Sequence, residues 1–217
     1  LGFTSAVRRA LRVESYDLEQ FAADLAELSG FFDGSSPVLA SPGSGSELEI
    51  FILASAGSAD IAARLGLPVV FGGPKLLDGD SGSELVERYR AQFVPSRYAS
   101  EPLVILNIHA LVADSDADAL DMARSEAWAY VNAQTQGAFL PLESPAAINA
   151  RELTERQQAR MQQMLTGTIA GTVDRVATTI EQLVRRTGAA EVLLSGSAHD
   201  PAALLHSDYL LAKAFGL

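Results

Sequence analysis

The 217-residue sequence contains no cysteine, and this absence removes several kinds of chemistry at once. Disulfide bonds, thiolate nucleophiles and cysteine-ligated metals are all excluded. Histidine is nearly as scarce, because His109, His199 and His206 are the three in the chain and their spacing matches no metal-binding motif. We therefore expect a protein without a bound metal.

Basic residues are also few relative to acidic ones. The chain has 16 Lys and Arg against 27 Asp and Glu, which gives a formal net charge of −11. This balance argues against nucleic acid and anionic membrane surfaces as principal partners. Apolar runs do not reach membrane-spanning length and the first residues lack the pattern of a signal peptide, so a cytoplasmic protein without a membrane partner is expected.

What the chain does have is an alternation of apolar strands with helical segments. Hydrophobic residues make up 48% of it, enough for a substantial core. Buried strands are predicted over residues 50–54, 69–72, 103–113 and 192–195. Helices are predicted over residues 17–32, 59–65, 84–93, 116–136, 151–165, 173–186 and 202–215. This order predicts an α/β fold with a parallel sheet.

Residues 50–72 form the most informative stretch, because a strand, a Gly/Ser turn, a short helix and a second strand follow one another there. The turn, Ser-Ala-Gly-Ser at residues 55–58, has little side-chain bulk and precedes a helix. Free amides and the helix dipole at such a position favour an anion, so the turn indicates a phosphate site. The alternative is an ordinary turn in which Ser55 caps the helix.

Three further places carry candidate functional residues. Gly171 and Thr172 begin a helix and could bind phosphate, the alternative being a Thr cap alone. Asn107 and His109 share one face of a strand, where they either face a pocket or form a hydrogen-bonded core pair.

The third place follows the last strand, where His199 and Asp200 are adjacent. They could form an acid/base pair, or Asp200 could simply cap the final helix ahead of Pro201.

Several of these segments, in this order, resemble the bacterial luciferase-like monooxygenases. The resemblance begins with the helix that ends at Asp33-Gly34 and continues through ILASAGSADIAARLGLPVVF and LVILNIHALVADSDADA. It also includes Gly171-Thr172 before a helix, although Val173 stands where that family usually has proline. It ends with GAAEVLLSGSAHDPAALLHSDYLLAKAF, which is similar to the family's last strand, His-Asp turn and closing helix.

The resemblance implies a (β/α)8 barrel of the TIM type, seen as an incomplete barrel of about strands 4 or 5 to 8. Such a barrel typically needs ~250 residues. We therefore expect residues 1–217 to form one barrel domain whose first strands are absent, with Leu1-Gly2 as the tail of strand four. Residues 137–170 are expected to be a mobile loop that covers the site.

The resemblance also implies a function, namely oxidation of a small organic molecule with O2 and reduced FMN supplied by a flavin reductase. Alternatives are a deazaflavin-dependent oxidoreductase and a non-catalytic flavin-binding or partner subunit. A homodimer is implied. The catalytic residues are unassigned, with His109 and His199 as candidates. The implied cofactor-binding residues are Ala54, Ser55, Ala56, Gly57, Ser58, Asn107, Gly171 and Thr172.

Overall fold

The computed structural model describes residues 5–12, 17–137 and 140–217. Their strands are β1 (Ile52–Ala54), β2 (Val69–Gly72), β3 (Val104–Val112), β4 (Thr168–Gly171) and β5 (Glu191–Ser195). Their helices are α1 (Ser5–Ala10), α2 (Leu18–Asp33), α3 (Ala56–Leu65), α4 (Pro74–Leu77), α5 (Gly79–Gln92), α6 (Asp116–Gln136), α7 (Pro145–Asn149), α8 (Glu155–Leu165), α9 (Val173–Thr187) and α10 (Pro201–Ala214).

The described residues separate into two compact units. The first unit takes those within residues 1–70 and 87–103, and the second takes those within residues 71–86 and 104–217. The predicted strand-four tail at Leu1-Gly2 lies outside the described residues, as do residues 138–139 of the predicted cover. Within the described ranges, no helix combines the length and apolarity that a membrane crossing requires.

In the first unit, the Ile52 amide at the start of β1 donates to the carbonyl of Pro68, directly before β2, at 2.9 Å. Helix α3 connects the two strands and ends at Gly66, whose φ of 64° lies in the left-handed region. A Cβ at Gly66 would come within 2.4 Å of the Val94 carbonyl oxygen, so both conformation and space require glycine there.

The second unit is organised around β3, which pairs in parallel with both β4 and β5. His109 is the register partner of Thr168 on β4 and of Ser195 on β5. Along the first six residues of β3, one face is buried and the face carrying Asn107 and His109 is half-buried. The predicted α/β class with a parallel sheet is confirmed.

A hydrophobic cluster lies between β3 and the helices that follow it. Its buried members are Leu111, Ala123, Ala127, Trp128, Val131, Ile148, Met161 and Leu165. Trp128 is therefore a packing residue. On another side of β3, the buried Ser207 hydroxyl of α10 accepts a hydrogen bond from the Val112 amide at 2.8 Å.

Several element predictions need correction, and the short helices α1 and α4 were not predicted. No strand was predicted where β4 lies, because the four residues between Gly167 and Thr172 are too few to show a periodicity. Helix α3 begins at Ala56 rather than at residue 59. Helix α5 begins at Gly79 rather than at residue 84, and α7 lies at Pro145–Asn149, where no helix was predicted. Gly and Pro in these segments occupy first helical turns, where they are tolerated.

Candidate functional site

The predicted phosphate turn is the capped start of α3, in the first unit. Ser55 is the N-cap residue, and Ala56, Gly57 and Ser58 form the first helical turn. The Ser55 amide donates to the Ser58 hydroxyl at 2.8 Å, and the two hydroxyl oxygens are 3.2 Å apart. Ser58 is buried, whereas Ser55 and Ala56 are exposed. The Ser58 amide in turn donates to the Ser55 hydroxyl, which completes a capping box. The donors left at this helix start are thus the Ser55 hydroxyl and the amides of Ala56 and Gly57.

Gly57 lies close to helix α2. A Cβ at this position would lie 2.8 Å from a terminal methyl carbon of Leu18, the first residue of α2. The small residue therefore accommodates the packing of α2 on α3. Ala54, the last residue of β1, is half-buried directly before the cap.

The second predicted phosphate position, at Gly171 and Thr172, lies in the second unit. Thr172 is the N-cap residue of α9, but its amide donates to the Asp116 carboxylate at 3.0 Å. Arg175 pairs with the other oxygen of the same carboxylate. The hydrogen bond from Thr172 and the bond from Arg175 both hold the pKa of Asp116 below its usual value.

The start of α9 therefore already carries an anion that belongs to the protein. A Cβ at Gly171 would meet an Asp116 oxygen at 2.6 Å, so glycine is needed for this approach. Asp116 is the first residue of α6. The cap of that helix is Ser115, whose hydroxyl accepts from the Asp118 amide at 3.2 Å.

Asn107 and His109 do share one face of β3, but they bond to different elements. The Asn107 side-chain oxygen accepts a hydrogen bond from the Ser195 hydroxyl of β5 at 3.3 Å. The predicted contact of Asn107 with a cofactor stays a prediction. His109 pairs with Glu126 of α6, its Nδ1 lying 3.4 Å from Oε2 of the carboxylate.

Glu126 and Ser197 extend this pair into a chain of three side chains. The Ser197 hydroxyl, just after β5, donates to Oε1 of Glu126 at 3.2 Å. Because a carboxylate only accepts, Nδ1 of His109 carries the proton in the His109–Glu126 hydrogen bond. That bond raises the pKa of His109 above its usual value of 6.5, while burial acts in the opposite direction.

His109 and Glu126 line a cavity of about 200 Å³ within the second unit. We call it the His109 cavity. Its lining residues are Gly73, Pro74, His109, Glu126, Ala127, Tyr130, Met164, Gly167 and Thr168. The walls are mostly apolar and the polar groups are few, which is the usual composition of a small-molecule site.

His199 and Asp200 do not form an acid/base pair. The Asp200 carboxylate caps α10 by accepting from the Ala202 amide at 2.9 Å. His199 Nδ1 lies 2.8 Å from the Leu142 carbonyl, to which it donates. The capping alternative for Asp200 is confirmed, and His199 contacts the segment before α7.

Glu126 and Ser197 are the residues that sequence reasoning missed. One signal for Glu126 was present, because Ala119, Ala123 and Ala127 form a buried stripe on α6 and Glu126 directly precedes the last of them. A carboxylate beside a buried stripe needs a partner. Ser197 carries no such signal, since its role depends on β5 and α6 meeting in the fold.

Comparison with known proteins identifies the family. Residues 3–191 match the family model described as luciferase-like monooxygenase. The luciferase-like monooxygenase of Escherichia coli strain K12 is 31% identical over 209 residues, covering 93% of this chain and 60% of that protein. The uncharacterized protein YvbT of Bacillus subtilis strain 168 is 27% identical over 219 residues, covering 99% of this chain and 64% of that protein.

Solved structures show the same likeness. The crystal structure of apo-MsnO8 has a TM-score of 0.78 and 26% identity, covering 99% of this chain and 65% of that chain. An F420-dependent secondary alcohol dehydrogenase shares the fold, with a TM-score of 0.58 and 13% identity, covering 91% of this chain and 61% of that chain. The predicted class, part of a (β/α)8 barrel, is confirmed by the first of these. The chain spans about 60% of the length of the first curated relative, and it belongs to the luciferase-like monooxygenase family.

Proposed function

We propose that the protein is a flavin-dependent monooxygenase that uses reduced FMN and O2 to oxidise a small organic molecule. The observation that carries this proposal is family membership over residues 3–191. When bound, reduced FMN supplies the electrons that activate O2. The protein's part is to hold the phosphate, orient the ring and keep water away.

The start of α3 is the position we propose for the FMN phosphate. Its donor set fits such a group, because the exposed Ser55 hydroxyl and the first-turn amides of Ala56 and Gly57 can donate to one dianion. The start of α9 does not fit, because the Asp116 carboxylate takes the Thr172 amide. Ser58 contributes by bonding the Ser55 amide rather than by reaching the ligand.

A binding comparison of FMN with riboflavin tests this assignment, because riboflavin lacks the phosphate. Ser55→Ala should weaken FMN binding about tenfold, as expected for losing one hydrogen bond to a charged group. Riboflavin binding should stay unchanged. Thr172→Ala is the matched control and should leave both affinities unchanged. An equal loss for FMN and riboflavin in Ser55→Ala would contradict a phosphate contact.

The activity itself is tested with anaerobically reduced FMN mixed with O2. Saturable binding followed by substrate-dependent oxygen consumption is the expected result. If reduced F420 binds and turnover is independent of oxygen, the deazaflavin alternative replaces the proposal. If flavin binds without any turnover, the protein is a non-catalytic flavin-binding subunit. If neither cofactor binds, all three functions are rejected.

The partners that we propose follow from the family as well. They are a separate flavin reductase, which supplies the reduced cofactor, and a second copy of the chain in a homodimer. Light scattering of the purified protein would reject the homodimer if it gave the mass of a single chain. Oxygen consumption driven by NADH and a purified reductase tests the other partner.

A further inference from the structure

The wall of the His109 cavity is mostly apolar, and its charged groups belong to one hydrogen-bonded chain of side chains. Glu126 uses one carboxylate oxygen for His109 and the other for Ser197, so both of its oxygens have protein partners. His109 uses Nδ1 for Glu126, and among the described residues its Nε2 has no hydrogen-bond partner. The imidazole of His109 therefore keeps one nitrogen with which it can bond a ligand.

The charge of the cavity selects against an anionic ligand. Glu126 lines the same wall, and the whole chain carries a formal charge of −11. Of the described residues that line the cavity, the titratable ones are His109, Glu126 and Tyr130. With His109 protonated, the His109–Glu126 pair is neutral and Nε2 is a donor. An anionic ligand would gain one hydrogen bond from Nε2 but would be repelled by the Glu126 carboxylate.

The remaining walls favour an apolar body of limited size. Pro74, Ala127 and Met164 contribute aliphatic surface, and the volume of about 200 Å³ is below the range of roughly 300–1,000 Å³ that drug-sized ligands occupy. Thr168, the register partner of His109, is the remaining short polar side chain of the lining.

We propose that the His109 cavity binds a compact, uncharged organic molecule that accepts one hydrogen bond from Nε2 of His109. Glu126 and Ser197 are positioning residues, because they fix the ring and the proton on Nδ1 without reaching the ligand. The statement that this ligand is the substrate rests on the proposed function. The statement that the cavity binds such a ligand does not rest on it.

Three probes of similar size test the class of ligand on the purified full-length protein without cofactor. They are acetophenone, which offers a carbonyl acceptor, ethylbenzene, which has none, and benzoate, which is an anion. At pH 6, acetophenone should bind about tenfold more tightly than ethylbenzene, as one charge-assisted hydrogen bond predicts. Benzoate should bind most weakly. Equal affinity for acetophenone and ethylbenzene, or preference for benzoate, would overturn the proposal.

The role of His109 is tested by proton NMR of the histidine rings and by matched variants. Acetophenone should shift the resonance that is missing in His109→Gln, and it should lose its advantage over ethylbenzene in that variant. His206→Gln, on the exposed face of α10, is the control and should bind like wild type. A wild-type His109 resonance that does not respond to acetophenone contradicts the proposal.

Glu126→Gln separates positioning from mere packing. The variant keeps the size of the side chain but removes the charge that favours protonated His109. The pH above which acetophenone binding weakens should therefore move downward, with binding at low pH retained. A loss of binding that is equal at every pH would contradict the positioning role. Flavin binding, measured separately, stays intact if only this inference fails and is lost if the proposed function fails.

Discussion

Tyr89 shows what one buried hydroxyl contributes in the first unit. Its side chain is fully buried, and its hydroxyl donates to the Leu67 carbonyl at 2.9 Å. Tyr89→Phe should lower the free energy of unfolding by about 1 kcal/mol, because the carbonyl loses its partner while packing is kept. Urea unfolding measures this. Tyr209→Phe, on an exposed ring of α10, is the control and should change nothing.

The same hydroxyl should make stability depend on alkaline pH. Burial raises the pKa of Tyr89 from 10 to about 12. Because the folded-state pKa is the higher one, the contribution of Tyr89 is fully present below pH 10 and is lost as the pH rises through 12. The advantage of wild type over Tyr89→Phe should shrink across this window. An advantage that stays constant up to pH 12 would show that the phenol ionises as readily in the fold as in the unfolded chain.

The chain of His109, Glu126 and Ser197 marks the limit of sequence reasoning at the scale of single residues. His109 could be predicted because a polar residue at alternate positions of an apolar strand is visible in the sequence. Its partners lie 17 and 88 residues further along the chain. Hydrogen bonds between side chains so far apart in the sequence depend on how α6 and β5 pack in the fold, which no local sequence pattern predicts.

At the scale of elements, the segment that leads into α7 is fixed by one carboxylate. Oε1 of Glu143 accepts from the indole N–H of Trp128 at 2.9 Å, and Oε2 pairs with Arg151. The Ser125 hydroxyl bonds the Glu143 carbonyl at 2.8 Å. We propose that residues 140–149, a described part of the predicted cover, are held to α6 through these contacts.

Glu143→Ala should release this segment. The buried indole N–H of Trp128 loses its acceptor, which should cost about 1–2 kcal/mol of stability. Trp128 is the single tryptophan of the chain, so its emission reports on this contact and should move to longer wavelength. Hydrogen exchange of residues 140–149 should speed up. The neighbouring Glu152→Ala, an exposed position, should alter neither signal.

Lowering the pH of the wild-type protein should have the same effect as Glu143→Ala. The bond from Trp128, with help from Arg151, holds the pKa of Glu143 below its usual value near 4.5. The contact is therefore intact above that value and is lost as the pH falls through the lowered pKa. Wild-type emission should shift in that acidic window, and emission of Glu143→Ala should not. If both proteins shift alike, the change reports general unfolding.

Elements could be predicted from the sequence where they are long or bounded by clear signals. Strand β2 has its predicted bounds, residues 69–72, and α6 its predicted span, residues 116–136. Errors fall on short elements and helix starts. Strand β4 has four residues, and its pairing with β3 rather than its sequence makes it a strand. The predicted phosphate turn is likewise the first turn of helix α3. The sequence did not separate the two, because Ala56 and Gly57 are compatible with both a turn and a helix.

At the scale of the whole molecule, the acidic balance opposes a phosphorylated cofactor while the start of α3 attracts one. The formal charge of −11 is spread over the chain, and the FMN phosphate is itself a dianion. Amides of a first helical turn act over a few ångströms, well inside the Debye length of about 10 Å at 0.1 M salt. Repulsion between the phosphate and carboxylates spread over the chain acts over longer distances, so salt screens it before it screens the amide contacts.

Salt should therefore strengthen rather than weaken FMN binding. Raising NaCl from 20 to 200 mM should increase FMN affinity about twofold, because repulsion by distant carboxylates is screened while the contacts at Ser55 persist. Riboflavin carries no phosphate and should bind equally at both concentrations. Fluorescence titration of the two ligands side by side measures the difference. A fall in FMN affinity with salt would show that a nearby basic side chain, rather than the helix start, holds the phosphate.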